Sequence, residues 1–569
     1  MNDFFNKQMS WSKIGLLLAI AFQTTTAQRL ASPLGFPLQL SGGFGDLRAG
    51  HYHAGIDFRT QSTEGHALYA VLDGYISRIS VSPGGYGLGI YVTHPVDSLI
   101  TVYGHLQRFT PRMAQYVKEK QYEKESFSID LSFRPHEIPV KQGDIIGYSG
   151  NSGNSSGPHL HFEVRDLLTN EYIDPLTFYK SRIPDTQIPQ VRGLRIYPIE
   201  GKGMVNGSNQ KQDIKFVLDK NGQPMITEPI EAWGEIGLGI RAVDRMNGTQ
   251  FSYGVRYILL TVDEREIYLS EIDRFTQDES GYINSQTDYE EWSENRQFYI
   301  KTFVEPGNRA RFIASRNAGK ITVNEERTYH VLMTLTDLYG NTCFVPIRIT
   351  GKKQKISEPD TIGTTLLRWY DYNMFSARGI RMNIPRGSLY SSVDMHYKAI
   401  SIDSLYSVAH QLHKSPVALH QPAQLSIYLD SACNDSIVRQ LGIVRIYPNG
   451  RFSWVGGSFR DGYIDANISV LATYAVARDS IPPKITPVEP SRWREKKHIK
   501  IRMTDNLSGI SSFRGEINGQ YALFEYDGKT NMLTYYFDEE RVPPGYHHLK
   551  LTVIDRCGNK SVFENKFSW

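Results

Sequence analysis

Between Ala67 and Arg165 the sequence breaks into short apolar runs, each too brief for an amphipathic helix and each ended by a turn. The runs Ala67-Leu68-Tyr69-Ala70-Val71, Tyr75-Ile76-Ser77-Arg78-Ile79, Gly89-Ile90-Tyr91-Val92-Thr93 and Ile100-Thr101-Val102-Tyr103 are rich in β-branched and aromatic residues. Pro83-Gly84-Gly85-Tyr86-Gly87 supplies backbone that reverses a chain. That grammar predicts an antiparallel sheet. Aromatic residues at 12%, with 34 Tyr, extend the expectation of a mainly β protein to the whole chain.

At 569 residues the chain exceeds what one hydrophobic core organises. A prior of roughly 150 residues per domain predicts about three to five units. The first is expected over residues 28–180. Within it a charged stretch of about 110–139 has a helix-like part, Met113 to Lys124, and an alternating part at Phe127, Ile129, Leu131 and Phe133. It reads as an insertion at the sheet edge, and its place after His105 makes it a candidate groove wall.

Beyond Tyr179 one device occurs twice. Asp185-Thr186-Gln187-Ile188-Pro189 and Asp479-Ser480-Ile481-Pro482-Pro483 are extended, proline-stiffened entries into new units. Each introduces strands that run into aspartate turns: Asp244 and Asp337 after the first, Asp505 and Asp555 after the second. This pairing predicts immunoglobulin-like β-sandwiches at 187–352 and 482–569, with a further β-rich unit of unnamed type at 355–480.

The N-terminus reads as an address. Lys7 and Lys13 precede the apolar run Ile14 to Phe22, and small residues follow at Thr25 and Ala27. Residues 1–27 are therefore expected to be a cleaved export signal, placing the mature protein in the periplasm or outside the cell. No later segment is apolar for long enough to cross a membrane. With 63 Lys and Arg against 60 Asp and Glu, no electrostatic feature points to nucleic acid. Cys343, Cys433 and Cys557 have no metal-binding spacing and read as small buried hydrophobes.

The chemistry concentrates in three segments: His53-Ala54-Gly55-Ile56-Asp57, Tyr103-Gly104-His105-Leu106, and Gly157-Pro158-His159-Leu160-His161-Phe162-Glu163. Side chains two apart on a strand share a face, so His159 and His161 point at one site while Leu160 faces the core. His53 and Asp57 share a face by parity, and a bend at Gly55 could bring both to one ion. Two imidazoles and a carboxylate leave a fourth position open, the pattern of a catalytic zinc. Spacing alone does not choose between His159 and His161 as ligand. The remaining histidines suit proton transfer near neutral pH.

These segments, over about residues 43–175, resemble the lysostaphin/LytM family of zinc metallopeptidases, whose signatures are H-x-G-x-D, Y-x-H-L and H-L-H-F-E. The resemblance implies one Zn2+ ion held by His53, Asp57 and His161, with His105 and His159 as catalytic histidines. It also implies hydrolysis of peptide cross-links in bacterial peptidoglycan. Gly104 stands where the family commonly has Ala, a departure expected to matter little. Arg48 is an accessory candidate for a substrate carboxylate and Tyr103 for a hydroxyl donor. Competing readings are a peptidase of exported proteins and a non-catalytic activator of a cell-wall amidase, a class that typically loses metal ligands. The C-terminal β units could bind an envelope protein. A chain ending near Lys180 is expected to fold alone, because the motifs are complete before the tail begins.

Overall fold

The computed structural model describes residues 30–429 and 435–569. The expected export signal and Cys433 lie outside them. The chain is mainly β, at about 48% strand and 8% helix. No helix among the described residues is long and apolar enough to cross a membrane.

In the N-terminal unit the principal sheet runs in the order Leu40–Gly42, Ile56–Arg59, His159–Asp166, Leu99–Gly104, Leu88–His94, Gly74–Val81 and Ile129–Ser132. Every neighbouring pair is antiparallel. Its register decides what each face carries. Phe162 stands between Ile56 and Tyr103 on the flanking strands, and His161 between Asp57 and Gly104. Successive residues project to opposite faces. The Ile56-Phe162-Tyr103 row is therefore fully buried in the core with Phe58, Leu160 and Tyr179, while the Asp57-His161-Gly104 row presents polar groups on the other side.

The charged insertion folds as a helix, Pro111–Glu123, and an added edge strand, Ile129–Ser132, which pairs with Gly74–Val81. Proline fits the first helical turn, where its missing N–H has no partner to lose. Met113, Val117 and Gln121, spaced four apart, form the buried stripe. The helix also meets the far end of the chain: Lys118 pairs with Asp538 at 2.6 Å, Glu125 with Arg514 at 2.6 Å, and the rings of Tyr122 and Tyr521 meet edge-on.

Downstream, strands between Gln190 and Gly351 join in one ten-stranded hydrogen-bonded network built on the long strands Gln190–Val205 and Ile230–Val243. Residues 373–478 form two five-stranded sheets, and residues 484–568 two four-stranded sheets. Each of the three has its own apolar core.

The first unit is in extensive contact with residues beyond Lys180. Its strand Tyr172–Ile173 pairs with Arg274–Phe275 of the next unit. Asp174 meets Arg256 at 2.5 Å. Met246 and Tyr253 complete the N-terminal core, and Tyr52 and Tyr172 share a second core with Phe275 and Tyr282. The motifs end before residue 180, but the surfaces that bury their supporting strands do not.

Candidate metal centre

Three donor atoms converge where the Ile56–Arg59 and His159–His161 segments pair. His53 Nε2 lies 3.0 Å from His161 Nδ1 and 3.1 Å from Asp57 Oδ1, and His161 Nδ1 lies 3.0 Å from Asp57 Oδ1. Gly55 makes this approach possible. A Cβ there would sit 2.4 Å from the Phe162 carbonyl oxygen and 2.9 Å from Glu163 Cγ, so the requirement is contact with the neighbouring strand.

The outer nitrogen of each imidazole is already engaged. His53 Nδ1 donates to the Gly43 carbonyl at 2.7 Å, which leaves a lone pair on Nε2. His161 Nε2 faces Glu163 Oε1 at 2.9 Å, which turns Nδ1 inward. Three acceptor atoms at van der Waals distance or closer are unstable together unless a proton or a metal cation lies between them. The field of the site agrees. Burial disfavours a charged His161, yet hydrogen bonds to the Asp57 and Glu163 carboxylates outweigh it and push the imidazole up to about 9. Burial likewise opposes ionised Asp57, but His53, His159 and His161 hold its carboxyl well below the usual range.

Behind the donors lies a network that sequence reasoning did not assign. Fully buried Glu163 receives His161, Arg165 Nε at 2.7 Å and the Tyr86 hydroxyl, and these partners overcome desolvation to bring it down to about 2. Such carboxylate–histidine pairs fix the ring orientation of a ligand. Glu163 and Arg165 alternate with His161 along one strand, a parity that could have flagged them; Tyr86, in a glycine turn, carried no such signal. On the other side, Asp46 accepts from the Gly43 N–H at 2.9 Å and so fixes the loop whose carbonyl holds His53.

His105 and His159 flank the donors, their ring centroids 4.8 Å apart. His105 has φ of 61°, a left-handed backbone unusual for a non-glycine residue and often kept where a side chain must be aimed. Its Nδ1 donates to the Ser152 carbonyl at 2.8 Å. Burial, then the neighbouring His161 and His159, push His105 down to about 3, so it is neutral at pH 7 with a lone pair on Nε2. His159 Nδ1 donates to the Gly157 carbonyl at 2.8 Å, and its Nε2 lies 3.5 Å from Asp57 Oδ1. At Gly104 a methyl group would come within 3.2 Å of the Tyr86 ring and 3.3 Å of His161 Cβ. The glycine thus lets these two rings close in, a larger role than the sequence suggested.

Arg48 reaches the rim. Its guanidinium lies 3.3 Å from Asp46 and 3.8 Å from Asp57, and its side chain is 44% exposed. Tyr103 does not reach the site and is corrected here. It belongs to the core-facing row, is 0% exposed, and its hydroxyl accepts from the Val71 N–H and donates to the Tyr69 carbonyl. A cleft of about 910 Å³ continues from the Asn151–Gly153 loop beneath the insertion helix, and residues of the last β unit, including Tyr526, Lys529 and Asp538, form its far wall.

Residues 130–175 match the model of peptidase family M23, and residues 364–479, left unnamed by the sequence reading, match a Zu5-like domain. Over 149 residues the chain is 26% identical to the DD-carboxypeptidase/endopeptidase Mpg of Neisseria meningitidis, covering 26% of each protein. Over 150 residues it is 28% identical to lysostaphin of Staphylococcus staphylolyticus, covering 26% of this chain and 24% of lysostaphin. The solved catalytic domain of lysostaphin from Staphylococcus simulans is 25% identical and covers 25% of this chain and 92% of that domain, with a TM-score of 0.19. The chain thus spans about a quarter of the length of these curated relatives. Motif order, family-model match and relatives agree on one region: the N-terminal unit is similar to the lysostaphin/LytM-type M23 peptidases.

Proposed function

We propose that the protein is an exported zinc endopeptidase that hydrolyses peptide cross-links of bacterial peptidoglycan. The observation that carries this reading is the triangle of His53 Nε2, Asp57 Oδ1 and His161 Nδ1, with sides of 3.0–3.1 Å. Donors about 2.0–2.2 Å from a tetrahedral zinc stand roughly 3.3 Å apart, so a small adjustment would seat the ion. When bound, zinc supplies a Lewis acid that polarises a carbonyl and acidifies water.

The chain's own groups would do the rest. His53 and His161 are held in the required tautomers by Gly43 and Glu163. His105, neutral and with Nε2 free, would take a proton from the attacking water and return it to the departing amine. His159, fixed through Nδ1, would present Nε2 to the oxyanion of the tetrahedral intermediate and, as the imidazolium, donate a hydrogen bond to it. Arg48 would meet a substrate carboxylate at the rim. The complete donor set and both flanking histidines favour catalysis over the reading as an amidase activator.

The test is digestion of purified peptidoglycan with mass spectrometry of the released muropeptides, run beside casein and an amidase assay. Cleaved peptide cross-links support the proposal. Cleavage of casein alone, or amidase stimulation without cross-link cleavage, would reject it.

A further inference from the structure

The aspartate turns repeated along the tail are brought together in space. Asp185 lies at the exit from the N-terminal unit, Asp244 at the end of strand Ile230–Val243, and Asp337 in the turn after strand Thr328–Thr336. One carboxylate oxygen from each lies within 4.8 Å of the others. All three are buried, with Asp185 7% and Asp244 9% exposed.

Their hydrogen bonding is incomplete. Asp337 is satisfied by the N–H groups of Tyr339 and Asn341, both at 2.8 Å, and by Asn341 Nδ2 at 2.7 Å. Asp185 Oδ1 accepts from the N–H groups of Gln187 and Asn247. Asp185 Oδ2 and Asp244 Oδ1 are buried with no partner at all. An unpartnered buried carboxylate oxygen is costly, and two beside a third carboxylate are more so. The largest charge effects on Asp244 come from Asp337, Asp185 and Asp46, all acidic; with burial as the larger cause, they push it up to about 8.

The arrangement is built twice. Asp479, Asp505 and Asp555 converge in the same way. Asp479 Oδ1 accepts from the N–H two residues on, as Asp185 does, and its other oxygen takes the N–H three residues after Asp505. Asp555 is bonded by Cys557 and Asn559 as Asp337 is by Tyr339 and Asn341. Here too one buried oxygen, Asp505 Oδ1, has no partner.

We propose that Asp185, Asp244 and Asp337 bind a Ca2+ ion that fastens the junction between the N-terminal unit and the β unit after it. The donors are hard carboxylate oxygens with no imidazole or thiolate, a set that suits calcium rather than zinc. A separation of up to 4.8 Å is twice a typical Ca–O bond of about 2.4 Å. The inference does not rest on the peptidase reading, yet it touches that site. Asp244 and Tyr253 exchange both backbone hydrogen bonds, at 2.8 and 3.0 Å. The Tyr253 hydroxyl donates to the Leu40 carbonyl at 2.9 Å, and the Gly254 N–H donates to Asp46 Oδ1 at 2.7 Å. Asp46 in turn fixes the loop whose Gly43 carbonyl orients His53. Calcium at Asp244 would brace that segment from behind.

The test is calorimetric titration of CaCl2, and separately of MgCl2, into the full chain in metal-depleted buffer with stoichiometric zinc supplied, for wild type, Asp244→Asn and Asp185→Asn. Near-ultraviolet circular dichroism checks that each variant is folded. Wild type should take up one more equivalent of Ca2+ than either variant, and calcium should raise its melting temperature by several degrees while leaving that shift smaller in the variants. Calcium uptake and melting shift identical in wild type and both variants would overturn the proposal. Uptake of Mg2+ but not Ca2+ at the aspartates would overturn the choice of ion. A second control, Asp337→Asn, removes the third carboxylate and should behave as the other two do.

Discussion

The donor cluster around Asp57 and the carboxylate cluster around Asp244 are both buried and both gather three donors, but they are assembled by opposite means. At Asp57 the donors ride on or beside strands of one sheet, and strand register alone puts Asp57, His161 and Gly104 in a row. Every imidazole there has its outer nitrogen occupied, so the inner atom is chosen before any ion arrives. At Asp244 the donors come from a linker, a strand end and a turn, and they meet only when two units are in place. Oxygens are left without partners instead of being preset. A sheet can specify a site within one unit, whereas turns specify one between units.

The comparison is broken most severely by shortening the chain. A protein ending at Lys180 lacks the Arg274–Phe275 partner strand, Arg256, and the core residues Met246 and Tyr253. It should lose cooperative unfolding and retain no bound zinc, measured by thermal denaturation and atomic emission. A folded, zinc-loaded fragment would show the first cluster to be independent of everything downstream.

Next in size is removal of a donor. His161→Ala and Asp57→Ala should lose zinc and cross-link cleavage together, while Asp337→Asn should keep full zinc; metal content of the three purified variants separates the clusters. His105→Ala and His159→Ala should keep zinc and lose turnover by at least about a hundredfold, because acid–base and oxyanion assistance are typically worth 10²–10⁴ and 10²–10³ in rate. Turnover and zinc must be read on the same preparation. Either variant that keeps its metal and cleaves at the wild-type rate has no catalytic histidine at that position.

Glu163→Gln sharpens the comparison further, since it leaves the three donors and alters the buried network with His161, Arg165 and Tyr86 behind them. Metal affinity should weaken by about 10–100-fold, read by competition with a chelator of known affinity. The smallest effect belongs to Tyr103→Phe, on the opposite face of the sheet. Loss of its hydroxyl strands the Val71 N–H and should cost about 1–3 kcal/mol of stability, seen as a lower denaturation midpoint with kcat unchanged.

The N-terminal sheet and the five histidine and aspartate positions were legible because each signal was local. Alternation exposed the faces, while the close approach at Gly55 and the choice between His159 and His161 were not written in the spacing. Tyr103 misled because its motif neighbours face the site while its own parity turns it inward; only knowledge of which strand face is core separates the two. Glu163 and Arg165 sit within the motif strand, but their value lies in Tyr86, which is 77 residues from Glu163 in sequence. The aspartate turns were visible as a repeat, yet turn chemistry alone explains an Asx residue. Their convergence depends on packing between units, which no local pattern encodes. The same holds for the contacts that cross the boundary near Lys180.

The contact between Lys529 Nζ and the Asn151 carbonyl joins positions 378 residues apart. Asn151 precedes Ser152, whose carbonyl holds His105 in place. A chain made from its N-terminus therefore has His53, His105, His159 and His161 long before it has the lysine that steadies the loop beside them. The rim of the cleft is completed by residues far downstream of the site, so the order of synthesis itself separates possession of the chemical groups from completion of the surface that confines a substrate to them.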